Sequence, residues 1–129
     1  MLSFAQAIES PVREVPFAAP HVFVLAAVDA ADHQAVHRLI RAETTVGCEP
    51  DAHLILEDED VVERHCTIRC DAGQCHIVDT GSENGTYVNA RRLVPGVAHR
   101  LRHLDEVQIG ASRFLFLVGR FIDRSQRGR

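Results

Sequence analysis

From residue 21 onward the chain is a series of short apolar runs, each cut off by turn-forming residues, and this cadence limits the fold more than any other feature. "HVFVLAAV" is apolar and β-branched, with "DAADHQ" as the turn that ends it, and "AVHRLI" alternates. "TTVG" carries β-branched residues to a glycine, and "HLILE" is closed by the acidic run "EDED". "HCTIRC" and "QCHIVD" flank "DAG", the signature of a hairpin. "TYVNARRLV", "DEVQIG" and "RFLFLV" complete the series. Runs of roughly four to eight residues without a sustained helical period predict an all-β, antiparallel sandwich. "AADHQAVHRLI" can also be drawn as a short amphipathic helix, but both of its neighbours read as strands.

A chain of 129 residues can bury one core and is too short for two comfortable domains. The expected organisation is a leader or linker over residues 1–20, the sandwich over 21–118, and a basic tail over 119–129. The first 20 residues contain Glu9, Arg13, Glu14 and three prolines, so they lack the uninterrupted apolar core of a signal peptide. No apolar run approaches the ~20 residues of a membrane span. The expectation is therefore a cytoplasmic protein without membrane insertion, with its thiols reduced.

Charge is unevenly spread. Residues 49–63 hold seven carboxylates and no arginine, whereas residues 91–129 hold nine arginines and three carboxylates. The net charge of −4, a single tyrosine and the lack of tryptophan argue against a nucleic-acid partner. A basic tail and an acidic loop region on one molecule also allow self-association.

Four stretches occur in order: "TVGCEPDAHLIL", "VVERHCTI", "GSENGTYVNA" and "LRHLDEVQIG". Together they resemble the forkhead-associated (FHA) domain, and the resemblance covers residues 21–118. That family has a strand ending in Gly-Arg, an Asp-Ile-x-Leu strand and a Ser-Arg-x-His loop. Ser-x-Asn-Gly-Thr-x-Val-Asn-Gly and Leu-x-x-Gly-Asp-x-Ile-x-Ile-Gly follow. The resemblance implies a β-sandwich that presents peptide-binding loops at one end. Gly47, His65, Gly85, Thr86 and Asn89 match its structural positions, and His65 is then a structural histidine rather than a catalytic one. Glycine at position 85 suits the positive φ of an Asn-Gly turn, and the Thr86 hydroxyl can close it.

Phosphothreonine recognition in this family uses the arginine after the first glycine, the loop serine, and the residues of the asparagine turn. Carried over by position, these are Cys48, Val62 and Glu83, and the residue after the loop serine is Glu63. Asn84, Ser82 and Arg64 remain as peptide-binding positions. A phosphate carries about −1.5 to −2 charges and needs donors and cations. Each hydrogen bond to such a group contributes roughly 1.5–3 kcal/mol, so losing two moves a micromolar binder into the millimolar range.

The resemblance thus implies a phosphate-independent protein-interaction module with acidic recognition loops, whose protein or peptide partner is basic. The alternative is a phosphothreonine-peptide reader built on Arg64 and Asn84. Solvated loops that aid solubility are the bland reading of the same carboxylates. "EDED" lacks the spaced Asp/Gly pattern of a calcium loop. Cys66 and Cys70 stand about 13 Å apart along one strand face, too far for a shared metal. Cys70 and Cys75 can face each other across the hairpin as a thiol pair or a disulfide, and Cys48, in a loop, is expected to be the exposed thiol. No nucleophile elbow, phosphate-binding loop or metal-ligand helix is present, so neither catalysis nor a cofactor is expected.

Overall fold

The computed structural model describes residues 21–28 and 36–120. Residues 23–118 form one compact unit, and of the residues outside it only His21, Val22, Gly119 and Arg120 are described. The leader expected over 1–20, the turn "DAADHQ" and the tail beyond Arg120 lie outside the described residues.

Eleven strands are formed: β1 (His21–Ala27), β2 (Val36–Arg38), β3 (Glu43–Gly47), β4 (Leu54–Ile55), β5 (Cys66–Asp71), β6 (Gln74–Asp79), β7 (Thr86–Val88), β8 (Arg91–Arg92), β9 (His99–Leu101), β10 (Glu106–Ile109) and β11 (Ser112–Arg120). They build a six-stranded sheet in the order β2-β1-β11-β10-β7-β8 and a five-stranded sheet in the order β4-β3-β5-β6-β9. Each strand pair with an assigned register is antiparallel except β3–β4, which is parallel. The all-β sandwich expected from the sequence is the observed architecture. The segment "AVH" within the helix-like "AADHQAVHRLI" contributes to β2 with its valine and histidine, pairing His37 with Leu25.

Alternation explains the core. Along β5, Cys66 and Ile68 are buried while Thr67 and Arg69 point the other way; along β10, Val107 and Ile109 are buried while Glu106 and Gln108 are not. Leu25, Val46, Ile77 and Phe116 complete the centre, and Phe23 stacks on Phe116 at 5.9 Å between ring centroids. Burying such side chains contributes roughly 1.5–3 kcal/mol each.

Two hairpins close on two-residue loops with both central residues at positive φ: Ala72–Gly73 between β5 and β6, and Asn89–Ala90 between β7 and β8. Leu104 also has positive φ (76°), at the position where the family pattern carries glycine. Directly behind the first hairpin loop, Cys70 and Cys75 are cross-strand partners with Cα atoms 4.1 Å apart, joined as a disulfide. Of the two alternatives that the sequence left open, the oxidised one is present. The fully reduced set of thiols expected from composition does not hold here, because register places this pair directly opposite each other.

Candidate recognition loops

Three connections converge at one end of the sandwich: residues 48–53, 56–65 and 80–85. Hydrogen bonds hold them together. The Cys48 amide donates to the Val62 carbonyl (3.1 Å), the Thr80 amide to the His65 carbonyl (3.1 Å), and the Thr80 hydroxyl to the Arg64 carbonyl (2.7 Å). Gly47 is buried where β3 runs against the second loop, and a Cβ there would collide with the Glu63 carbonyl. Only glycine permits that approach.

His65 is fully buried and uses both ring nitrogens. Nδ1 accepts from the Val62 amide (3.3 Å), which leaves the proton on Nε2 to donate to the Gly85 carbonyl (2.9 Å). The ring therefore joins the 56–65 loop to the asparagine turn, and both of its nitrogens are engaged within the fold.

Beneath that turn lies Asp79, which the sequence did not single out. It is 1% exposed and accepts from the Gly81 amide (3.0 Å), the Ser82 amide (3.1 Å), the Ser82 hydroxyl (2.5 Å) and the Thr86 hydroxyl (2.7 Å). Burial alone would raise its pKa, but the donors from Ser82, Thr86 and Gly81 outweigh it and hold the carboxyl below the usual range. The legible signal was the run Asp79-Thr80-Gly81-Ser82, an aspartate followed by small polar residues at the end of a strand. Ser82, assigned to peptide binding from the resemblance, is buried and donates inward to Asp79. Neighbouring Cys66 has its thiol pushed up by burial and by the Asp79 charge.

The residues at the phosphate-reading positions are placed as follows. Cys48 is half-buried and packs against the core rather than standing exposed, because the bond from its amide to Val62 draws the loop inward. Val62 is half-buried and offers only backbone groups, while Glu63 and Glu83 are exposed. Arg64 is exposed, with its Nε 3.1 Å from the Glu49 carboxylate, and Glu49, Asp51 and Glu63 raise its pKa further. Asn84 is exposed and its Nδ2 donates to the Asp60 carbonyl (3.3 Å). A second cation not foreseen from the sequence, Arg92, lies over Gly85 and donates to the Glu83 carbonyl (3.0 Å).

Not every acidic residue of the loops faces outward. Asp58 accepts from the Asp60 amide (2.8 Å), the Ala111 amide (2.9 Å) and the Ser112 hydroxyl (3.1 Å), fastening the loop to the β10–β11 turn. Its partial burial opposes ionisation, yet the donors from Asp60, Ala111 and Ser112 lower its pKa. Asn89, from the structural motif, joins the β7–β8 hairpin to β10: its Nδ2 donates to Asp105 (2.9 Å) and its Oδ1 accepts from the Glu106 amide (2.9 Å). No set of three or more His, Cys, Asp or Glu placed to hold a metal ion occurs among the described residues, and no described helix is long and apolar enough to cross a membrane.

The model of the FHA domain matches residues 44–110, more than half of the chain and the span that contains all three loops. The chain belongs to the FHA family. As an FHA domain it is a protein-interaction module. It is 43% identical over 76 residues to the glycogen accumulation regulator GarA of Mycolicibacterium smegmatis, covering 59% of this chain and 46% of that protein. It is 42% identical over 76 residues to the oxoglutarate dehydrogenase inhibitor of Corynebacterium glutamicum, covering 59% and 51%. The chain thus spans about half the length of these curated relatives. Among solved structures, one from an analysis of phosphothreonine-dependent FHA domain interactions superposes with a TM-score of 0.66 at 26% identity, over 74% of this chain and 95% of that one. EmbR of Mycobacterium tuberculosis, in complex with a low-affinity phosphopeptide, gives 0.68 at 25% identity, over 79% and 26%.

Proposed function

We propose that this FHA domain binds a basic segment of a protein partner through its acidic loop end, without requiring phosphothreonine. The observation that carries the reading is the state of the phosphate-reading positions. Cys48 is drawn onto the core, Val62 has no side-chain donor, and the Arg64 guanidinium is held by Glu49 at 3.1 Å. Glu63 and Glu83 add exposed negative charge where a phosphate would approach. A dianion there would have to displace Glu49 from Arg64 and approach two further carboxylates. A cationic segment would meet an attractive potential, with fast encounter and strong salt dependence. The role is regulatory and non-catalytic, in keeping with relatives that bear the names of a regulator and an enzyme inhibitor.

A second reading, a phosphothreonine-peptide reader using Arg64 and Asn84, is favoured by one observation. Arg64 is 81% exposed on its side chain and can leave Glu49 at little cost. Structures at 25–26% identity include a phosphothreonine-dependent domain and a phosphopeptide complex. Fluorescence anisotropy separates the two readings, using one peptide sequence in phosphothreonine and threonine forms beside an arginine-rich peptide. The proposal expects binding only by the arginine-rich peptide, weakening as salt rises. Phosphate-dependent binding that is at least tenfold tighter than that of the threonine form would favour the second reading.

A further inference from the structure

The acidic loops leave one charged region of the sequence without a role: residues 84–104 hold four arginines and two histidines and no carboxylate. The fold lays this stretch along one side of the sandwich. β8 is the outermost strand of the six-stranded sheet, β9 is the outermost strand of the five-stranded sheet, and residues 93–98 join the two. Backbone hydrogen bonds hold the connection in place. The Leu93 amide donates to the Thr86 carbonyl (2.8 Å), the Gly96 amide to the Asp79 carbonyl (2.9 Å), and the Val97 amide to the Val94 carbonyl (3.1 Å). Leu93 and Leu101 are buried, and every residue between them is exposed.

The arginines of this side differ from others in the chain. Arg64, Arg69 and Arg113 each hold a carboxylate at 3.0–3.3 Å. Arg91, Arg100 and Arg102 are exposed, and their side chains hold none among the described residues. The next carboxylates along the chain are already engaged. Asp105 accepts from the Asn89 side chain (2.9 Å) and the Arg102 amide (2.8 Å), and Glu106 pairs with Arg113. Across the strands, Arg100 faces His76, not an acid. Val94 and Val97 stand among these arginines, 64% and 55% exposed. Charged side chains on short outermost strands ordinarily prevent pairing with another chain. That role accounts for the arginines but not for the two valines, which put apolar surface beside them.

We infer that this side of the sandwich is a second docking surface, for an extended acidic segment of a protein partner. Carboxylates match the planar forks of Arg91, Arg100 and Arg102, and aliphatic side chains of the segment cover Val94 and Val97. Two features favour a polypeptide over other polyanions. β9 has a neighbour on one edge only, and the free edge is one that another backbone can extend. Residues 91–102 also include no Phe, Tyr or Trp on which a nucleic-acid base could stack. The surface is separate from the acidic loops, and the inference does not depend on what those loops bind.

The test titrates the full chain with a capped Ser-Glu-Val-Glu-Val-Glu-Ser peptide and with its glutamine counterpart, following amide NMR shifts. The glutamate peptide is expected to shift amides of residues 91–102. It should bind at least about fivefold more tightly than the glutamine peptide, the difference shrinking as salt rises. Arg91→Glu with Arg100→Glu is expected to weaken it at least about tenfold, and Val94→Ser with Val97→Ser about threefold. All four positions are exposed, so the remaining amide spectrum should stay in place and separate loss of the surface from loss of the fold. Equal affinity of the two peptides, shifts centred on Arg64 instead, or no shift at all would each overturn the inference. Tighter binding of a short oligothymidylate, or of vesicles of phosphatidylserine and phosphatidylcholine in equal parts, with no effect of the valine changes, would also overturn it. That result would show a general polyanion surface.

Discussion

Arg64 and Glu49 form an ion pair of 3.1 Å that joins two of the three loops at one end of the sandwich and engages an exposed cation there. The pair turns the question of phosphate reading into one of competition. Any anionic ligand must displace a carboxylate that is already in place, from a residue that the fold itself supplies.

On the proposed reading, supplying side-chain donors at positions 48 and 62 should strengthen phosphothreonine binding. The double variant Cys48→Arg, Val62→Ser is expected to bind a phosphothreonine peptide at least about a hundredfold more tightly than the parent chain, from two added charged hydrogen bonds of roughly 1.5–3 kcal/mol each. Adding Glu49→Gln should increase the affinity again by freeing Arg64. Calorimetric titration of the three proteins with one peptide measures this; identical affinities throughout would show that the pocket is limited by something other than its donors.

Acid stability should report on Asp79. Its folded pKa lies below the unfolded value, so its contribution is fully present above the unfolded pKa of about 3.9 and is lost as pH falls through the folded pKa. Asp58 is shifted in the same direction and acts over the same window. Asp79→Asn is expected to cost about 2–4 kcal/mol at neutral pH, since four donors lose a charged acceptor, and to flatten the fall in stability below about pH 4. Urea unfolding between pH 3 and 7 tests both parts.

Leu104 should be replaceable with gain. It is exposed and has a φ of 76°, a region that costs a side-chain-bearing residue roughly 1–2 kcal/mol. Leu104→Gly is expected to stabilise the chain by about 0.5–1 kcal/mol after the greater unfolded-state entropy of glycine is subtracted. Ala90→Gly, at φ 69° in the β7–β8 loop, should act in the same direction. Thermal unfolding would show a rise of a few degrees; a fall for Leu104→Gly would mean that the leucine has a packing or binding role.

The Cys70–Cys75 disulfide should matter for stability and not for recognition. It closes a short loop, so its entropic contribution is about 2 kcal/mol, and it lies at the opposite end of β5 from His65. Reduction is expected to lower the melting temperature while leaving peptide affinities within twofold. Under denaturing, non-reducing conditions two thiols, Cys48 and Cys66, should titrate.

The strands were legible because period-two burial is written directly in runs such as "HCTIRC" and "QCHIVD". The ordered motifs were equally legible, because each turn demands particular residue types. What escaped was polar burial. Asp79 occupies an inward position at the end of β6, where alternation alone predicts an apolar residue, and only the donors of the following turn make a carboxylate tolerable there. Asp58 was counted with the acidic face although it fastens that loop to the β10–β11 turn, a contact spanning 53 residues of sequence. Cys48 was expected in the open because its loop is polar; one backbone hydrogen bond to Val62 turns it toward the core. Arg92 was missed because it reaches the turn from a strand that the motif does not include.

The most direct test of the central claim is an amide NMR titration of the full chain with phosphothreonine, unphosphorylated and arginine-rich peptides at moderate salt. The account predicts shifts around the loops at residues 56–65 and 80–85 with the arginine-rich peptide alone, fading as salt rises. Phosphate-dependent shifts at Gly47, Arg64 and Asn84 would contradict it and restore a phosphothreonine reader.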